Sequence, residues 1–540
     1  MVRACCPKPV TTCRTQVVRL STDTAPIAFQ GNSLFVSVCP CQSYTSTSPG
    51  FFCVCLLADL PGSTLFFASL HHQDVRSLCF WLRQDRCPKS ESCVLPAGRH
   101  KLVTGNPDPG IAGLRAVMAS LLSPVKDKPQ PGFRPHPRYL GNVANWGVGQ
   151  LSISERAALA SLPSLMTIGT ACSGSDCPVV ALQHLASAIR KESGRNFSVK
   201  HLFSCERDPR KQTFIRENFP NLPALFDDVM DLGNGVAHNV LRGSLDTVPK
   251  CDIFVAGFVC KSVSMENPHR EQFATCISSR TGITGETWQG VIDYVRFAQP
   301  AIVIFENVEG LTRGIRGREA QIIPVMSDLE RAGYCASWRV LDSRHFHLPQ
   351  RRRRCWIWGL LHAKSKDVAE KCLPATLQSQ MYREPVTLDS LFVDEPYDEG
   401  RGLNDREQAV VDKIVHHKFE DIDFSERDWV IDVSKSIMRA SPCQDACPCL
   451  VPNSRLFRVN TGQFLGPLQV LGLQGIWTRD FPGLENFAFT KPRLLRDIAG
   501  NAFTSTVALA VILLCLVYLR CPRGREQPEP SVAKLMLCLG

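Results

Sequence analysis

The sequence lacks several features that would settle its class at once. No apolar run approaches the roughly 20 residues that a bilayer-spanning helix needs. The longest, Val507 to Leu519, is about 13 residues long and lies between Thr504-Ser-Thr506 and Arg520, so it reads as a buried core helix, with no membrane association expected. No cysteine pair recurs at two-residue spacing, so the pattern preferred by structural zinc sites is missing and no metal centre is expected. A Gly-x-Gly-x-x-Gly fingerprint is absent as well, which leaves a dinucleotide-binding fold poorly supported. No internal repeat is evident. No convincing secretory signal opens the chain, so its 25 cysteines are expected to be reduced intracellular thiols. Met1 to Thr22 has no acidic residue and carries Arg3, Lys8, Arg14 and Arg19. That composition fits a basic disordered end, and also an organellar transit peptide.

What is present describes a globular protein. The 540 residues suffice for two or three domains, with 44% apolar and 21% charged residues. A formal charge of +10 permits an acidic partner without requiring one. Residues 1–150 scatter cysteine and proline without lasting periodicity and read as an N-terminal extension, partly disordered or a small module of unknown role. Lys126 to Arg138, rich in proline and basic residues, reads as a linker. From 165 to 363, apolar strand-like runs alternate with helical stretches, the pattern of an α/β sheet with covering helices. Strands are predicted over Leu165–Gly169, Lys200–Cys205, Asp252–Ala256, Ala301–Phe305 and Cys355–Leu360. Helices are predicted over Val179–Lys191, Pro209–Asn218, Thr287–Ala298 and Ile322–Ala332. Residues 364–463 lose the alternation and suggest a small irregular lobe. Residues 464–520 would return to the sheet, and 521–540 form a tail expected to be disordered.

Several of these strands end in groups with chemistry. Ile253 to Ala256 runs through Gly257 to a lone thiol, Cys260, on a polar loop. Ala301 to Phe305 ends in Glu306-Asn307. If the two strands are parallel neighbours, thiol and carboxyl group stand side by side at the carboxyl edge, where ligands bind in open α/β sheets. The first strand ends in Gly169-Thr-Ala-Cys-Ser-Gly-Ser-Asp176, whose small residues let backbone N–H groups approach a ligand. Glu206 at the second strand tip is placed to accept from ribose hydroxyls, and Asp227-Asp228 follows at the spacing of a third strand end. Gln350-Arg-Arg-Arg-Arg354 concentrates four guanidinium groups, either a solvated run or a set of bidentate donors.

Taken in order, these segments resemble the cytosine-C5 DNA methyltransferase family. The matching blocks are Thr170–Asp176, Phe203–Glu206, Asp228-Val229, Gly257–Ser264, Phe305–Val308, Gln350–Arg354, and Gly466–Ile476 ahead of Gly500-Asn-Ala502. The resemblance implies a Rossmann-like, S-adenosylmethionine-dependent mixed sheet with helices on both faces, plus a target-recognition lobe. It implies Cys260 as the nucleophile adding to cytosine carbon 6, with Glu306 at ring nitrogen 3 and Arg352 and Arg354 facing the pocket. Cofactor contacts would come from Cys172, Ser173, Gly174, Glu206, Asp228, Val229 and Asn501. The target base would be flipped out of DNA, or out of RNA, since a tRNA-modifying branch shares the motifs. An inactive nucleic-acid-binding relative is the remaining alternative. A monomer is expected, in the nucleus or another DNA-associated intracellular compartment, an organelle included. Val259 stands where the family has proline, Cys172 where an aromatic is common, and Arg353 where an acid is common.

Overall fold

The computed structural model describes residues 135–361, 385–392, 402–418, 423–424 and 427–519, together with five strands between residues 17 and 83. Two compact units divide the chain, one of residues 1–127 with 526–540 and one of residues 128–525. In the first unit, β1 (Val17–Leu20), β2 (Leu34–Pro40), β3 (Phe52–Ala58), β4 (Leu65–Leu70) and β5 (Cys79–Arg83) form an antiparallel meander in sequence order. The scattered Val, Phe and Leu of this region suit such strands. The linker expected at Lys126–Arg138 lies mostly outside the described residues, as does the 521–540 tail.

The second unit is built on nine strands in the order β10-β9-β8-β7-β6-β11-β12-β14-β13. These are β6 (Leu165–Ala171), β7 (Ser198–Cys205), β8 (Leu225–Phe226), β9 (Val236–Asn239), β10 (Ser244–Thr247), β11 (Ile253–Ala256), β12 (Ile302–Val308), β13 (Tyr334–Asp342) and β14 (Arg353–Leu361). Strands β8, β7, β6, β11 and β12 run parallel, while β14 enters antiparallel between β12 and β13. The sheet is therefore mixed. The chain winds outward from β6 to β8, then returns to the other side of β6 with β11. That reversal opens a crevice beyond the ends of β6 and β11, the position at which α/β sheets take ligands.

Alternation along the strands explains why both faces are covered. Ile253 and Val255 of β11, Ile302 and Ile304 of β12, and Trp356 and Trp358 of β14 enter one core. Their neighbours Phe254, Ala256, Val303, Phe305, Cys355 and Ile357 enter the other, as a period of two requires. The first core is closed by helices Leu140–Gln150, Cys177–Ser193 and Ser505–Tyr518, the second by Gly282–Ala298 and Ile322–Arg331. Every residue from Ser505 to Val517 is buried. Each Leu, Ile or Val in that helix contributes roughly 1.5–3 kcal/mol by leaving water, which accounts for an apolar run with no polar face. At Gly169 a Cβ would come within 2.2 Å of the Phe203 ring, so β6 and β7 can approach only with glycine there.

Two expected boundaries move. Helix Leu140–Gln150 packs on helix Cys177–Ser193, so residues 140–150 belong to the sheet unit and not to an extension. The lobe expected to be irregular holds a four-stranded antiparallel sheet, ordered β16-β15-β17-β18, of β15 (Trp429–Asp432), β16 (Cys443–Gln444), β17 (Leu456–Arg458) and β18 (Gln463–Phe464). With helix Asp405–Lys413 it encloses its own core of Val410, Ile414, Ile431, Phe457 and Phe464. Its strands are two to four residues long, too short for alternation to show.

Candidate active site

Parallel pairing sets the first relationship. Ala256 of β11 lies opposite Phe305 of β12, so the loop carrying Cys260 and the residue Glu306 leave the sheet side by side. The loop is tied down on both flanks. Asn307 Nδ2 donates to the Phe258 carbonyl at 2.9 Å, and the Ser262 N–H donates to Thr284 Oγ1 at 3.0 Å. The N–H groups of Val263 and Ser264 both donate to the Cys260 carbonyl, closing a tight turn after the thiol. Cys260 is partly exposed. Burial raises its pKa, Arg354 and Arg352 pull it down, and Glu306 pushes it up.

Glu306 and Arg354 meet by strand register. Glu306 pairs with Trp356 across β12 and β14, and Arg354, two residues along, occupies the diagonal position on the same face. Arg354 Nε lies 3.1 Å from Glu306 Oε1. Glu306 is buried, and that burial raises its pKa against the pull of Arg354 and Arg352. Cys449 from the lobe hydrogen-bonds Arg354. Burial alone would raise the Cys449 pKa, but Arg354, Arg352 and Lys435 together leave it lowered.

Arg352 does not join them by contact. Its guanidinium donates to the carbonyls of Leu450 at 3.1 Å, Gly500 at 3.3 Å and Ala502 at 2.7 Å. The expectation that it faces the pocket is corrected: it staples the arginine block to the closing segment, and only its charge reaches Glu306 and Cys260. Arg353 turns outward and grips Glu309 through Nε and Nη2 at 2.8 and 3.2 Å.

The second cluster lies at the ends of β6, β7 and β8. Ser173 is buried, with its N–H and Oγ both on the Cys205 carbonyl and its Oγ 2.7 Å from Thr170 Oγ1. Gly174 has a φ of 58°, and a Cβ there would meet nothing within 4 Å, so the backbone borders open space. Its N–H donates to Glu206 Oε2 at 3.0 Å, and the Asp208 N–H donates to Oε1 at 3.0 Å. Burial raises the Glu206 pKa, opposed by Lys211 and these amide donors. Cys172 has a φ of 50°, and its thiol is pushed up by burial and by Glu206 and Asp228. Asp228 Oδ1 accepts from the Met230 N–H, and Val229 is buried against Gly290. Asn501 is exposed, and its amide donates to the Asp497 carbonyl on its own helix at 2.9 Å, so its side chain is not turned to this wall.

Sequence reasoning missed two side chains here. Asp176, fully buried with a φ of 56°, accepts from Thr170 Oγ1 at 2.6 Å and Ser204 Oγ at 2.5 Å, fixing the loop from below. Cys449 lies in Cys447-Pro-Cys449, far along the chain from Arg354, its hydrogen-bond partner, and no local pattern marks it.

Comparison with known proteins bears on the same residues. The family described as C-5 cytosine-specific DNA methylase matches residues 188–420, a span that holds Glu206, Asp228, Cys260, Glu306 and Arg354. Over 207 residues the chain is 32% identical to "DNA (cytosine-5-)-methyltransferase DMT5" of Cryptococcus neoformans, covering 38% of this chain and 8% of that protein. It is 28% identical over 169 residues to "Type II methyltransferase M.DsaV" of Dactylococcopsis salina, covering 31% of this chain and 42% of that one. The chain thus spans less than half the length of either relative. Among solved structures, S. pombe Dnmt2 methyltransferase aligns with 65% of this chain and 98% of its own, at 14% identity and a TM-score of 0.43.

Proposed function

We propose, from the match of residues 188–420 to the C-5 cytosine-specific DNA methylase family, that this protein methylates carbon 5 of cytosine in DNA, using S-adenosylmethionine. The observation that carries the reading is the convergence of Cys260, Glu306 and Arg354 at the ends of neighbouring strands β11, β12 and β14. Cytosine carbon 5 is too weakly nucleophilic to react unaided. Addition of the Cys260 thiolate to carbon 6 moves electron density onto carbon 5. Glu306, whose raised pKa favours the protonated form, holds ring nitrogen 3 and stabilises the charge that develops there. Arg354 keeps Glu306 in place and favours the thiolate of Cys260. Once carbon 5 carries its new group, loss of its proton expels Cys260 and releases the product.

The second cluster fits the cofactor. The open space at Gly174, the buried carboxylate of Glu206 and the backbone of Cys172 and Ser173 form a wall able to hold a nucleoside, with Asp228 and Val229 beside it. When bound, S-adenosylmethionine supplies an electrophilic methyl group. The base reaches Cys260 only by leaving its stack, so the target is extruded from the duplex. Such a protein works where DNA is, in the nucleus or another DNA-bearing compartment.

A duplex containing 5-fluorocytosine tests the reading, because fluorine at carbon 5 prevents the final elimination. Incubated with S-adenosylmethionine, the protein should form a denaturation-resistant adduct, absent in Cys260→Ala. No adduct with any duplex would refute the DNA reading, and an adduct with tRNA alone would make RNA the substrate.

A further inference from the structure

Glu266, an acidic side chain of the segment after the nucleophile, pairs with two cations of the lobe. Glu266 lies six residues past Cys260, in the segment that begins with the turn closed on the Cys260 carbonyl. It crosses to the lobe, where Oε2 lies 3.2 Å from Arg439 Nη1 and Oε1 lies 3.7 Å from Lys435 Nζ. Both cations sit on the turn that follows β15. That turn is well built. Asp432 accepts from the Ser434 N–H and Oγ at its start, and the N–H groups of Arg439 and Ala440 donate to the Ser436 carbonyl at its end. Ala440 is buried, which anchors the turn in the lobe core, while Met438 at the tip is 88% exposed. The charge of Lys435 also lowers the pKa of Cys449, the thiol hydrogen-bonded to Arg354.

We propose that Lys435 and Arg439 are backbone-phosphate contacts for duplex DNA, and that Glu266 occupies them as an internal substitute until DNA arrives. The inference rests on the DNA reading above. Three facts support it. The carboxylate and Arg439 are each more than half exposed, 55% and 57%, so water and salt screen the pair and hold it weakly. A phosphate can meet a guanidinium with two oxygens, where Glu266 gives Arg439 only one, and releases counterions as it binds, so the exchange favours DNA. The substitute is attached to the loop that carries the nucleophile, so its displacement frees that loop at the moment the duplex is seated.

The test has an unusual sign, because removal of an ion pair should tighten binding. Binding of an unmodified duplex is measured by fluorescence anisotropy between about 50 and 200 mM salt. Glu266→Gln should bind about fivefold more tightly than the wild type at the lower salt. Lys435→Ala with Arg439→Ala should bind more weakly and lower the slope of log K against log salt by up to about 1.8. Adding Glu266→Gln to that double variant should change nothing further. Thermal melts verify that all variants are folded, as expected for side chains at this surface. If Glu266→Gln leaves affinity unchanged or weakens it, or still tightens binding without the two cations, the proposal is overturned. Adduct formation by the wild type on the fluorocytosine duplex reports separately on the underlying reading. A wild type that traps while Glu266→Gln binds unchanged sinks this inference alone.

Discussion

Arg354 Nε stands 3.1 Å from Glu306 Oε1, yet that oxygen accepts no hydrogen bond. The guanidinium is held off line because its Nη1 donates to the Arg353 carbonyl at 2.9 Å. Charge attraction is present and the directional bond is not. A buried polar atom normally has a partner, so an oxygen left open beside the nucleophile is a position reserved for something that arrives. In the proposed reaction this carboxyl group meets the pyrimidine edge, where its protonated form donates to ring nitrogen 3.

Glu306→Gln preserves shape and removes the ionisable acid proton. Turnover should fall by about 10²–10³, while affinity for S-adenosylmethionine, bound to the other cluster, stays within about twofold. Tritium transfer to duplex DNA and equilibrium dialysis of the cofactor measure the two quantities. Equal losses in both would mean that the substitution damages the fold and not the chemistry.

The rate of adduct formation should climb between about pH 7 and about pH 9, in step with the thiolate population. Burial lifts the Cys260 pKa, and the cations beside it offset that only in part. Single-turnover trapping at fixed ionic strength gives the profile. A rate independent of pH over that range would show that thiolate formation does not limit attack.

Arg352→Met should destabilise the sheet unit by at least about 3 kcal/mol. The substitution strands the buried carbonyls of Leu450, Gly500 and Ala502, and methionine has no donor to replace the fork. Urea denaturation measures the loss. A variant as stable as the wild type, with reduced turnover, would restore Arg352 to a direct catalytic role.

Glu309 is held down to about 2 by Arg353, with Arg313 helping. A carboxylate whose folded pKa is depressed contributes stability above its unfolded pKa and loses it as pH falls through the folded value. Glu309→Gln should therefore cost about 0.5–1 kcal/mol near neutral pH, and the difference should shrink as pH drops from 4.5 toward 2. Melting curves of both proteins across that range, at low salt, measure it.

Much of the fold could be read from residue order because the central strands are buried on both faces. Ile253–Ala256 and Ile302–Phe305 are continuous apolar runs with glycine or polar ends, and such runs have few alternatives. Helix Pro209–Asn218 carries its own start signal, with Asp208 capping the N–H of Arg210 ahead of Pro209. The hairpin of β9 and β10 escaped because Val236 and Leu245 point into solvent, 46% and 72% exposed, and alternation there carries no burial signal. Helix Leu140–Gln150 escaped for a different reason. It holds Gly141, Gly147 and Gly149, which disfavour an isolated helix, and packing on helices Cys177–Ser193 and Ser505–Tyr518 stabilises it.

The site divides in the same way. Cys260, Glu306 and Glu206 sit at strand ends, where a local pattern points at them. Arg352 and Arg354 share one motif two residues apart, and nothing local separates their tasks. What separates them is the closing segment, which takes Arg352 for its carbonyls and leaves Arg354 to Glu306. Cys449 and Glu266 were unreadable because their partners lie on distant parts of the chain.

The staple made by Arg352 also sets a timetable for synthesis. When the ribosome has added Arg352, the acceptors its guanidinium requires are still 98 to 150 residues from being made. A nascent catalytic half would therefore carry an unmatched charge at its edge, against the usual habit of domains closing one after another as they emerge. Activity should switch on abruptly, only after Ala502 has left the exit tunnel, and a chain released before that point would be a substrate for chaperones rather than a slower enzyme.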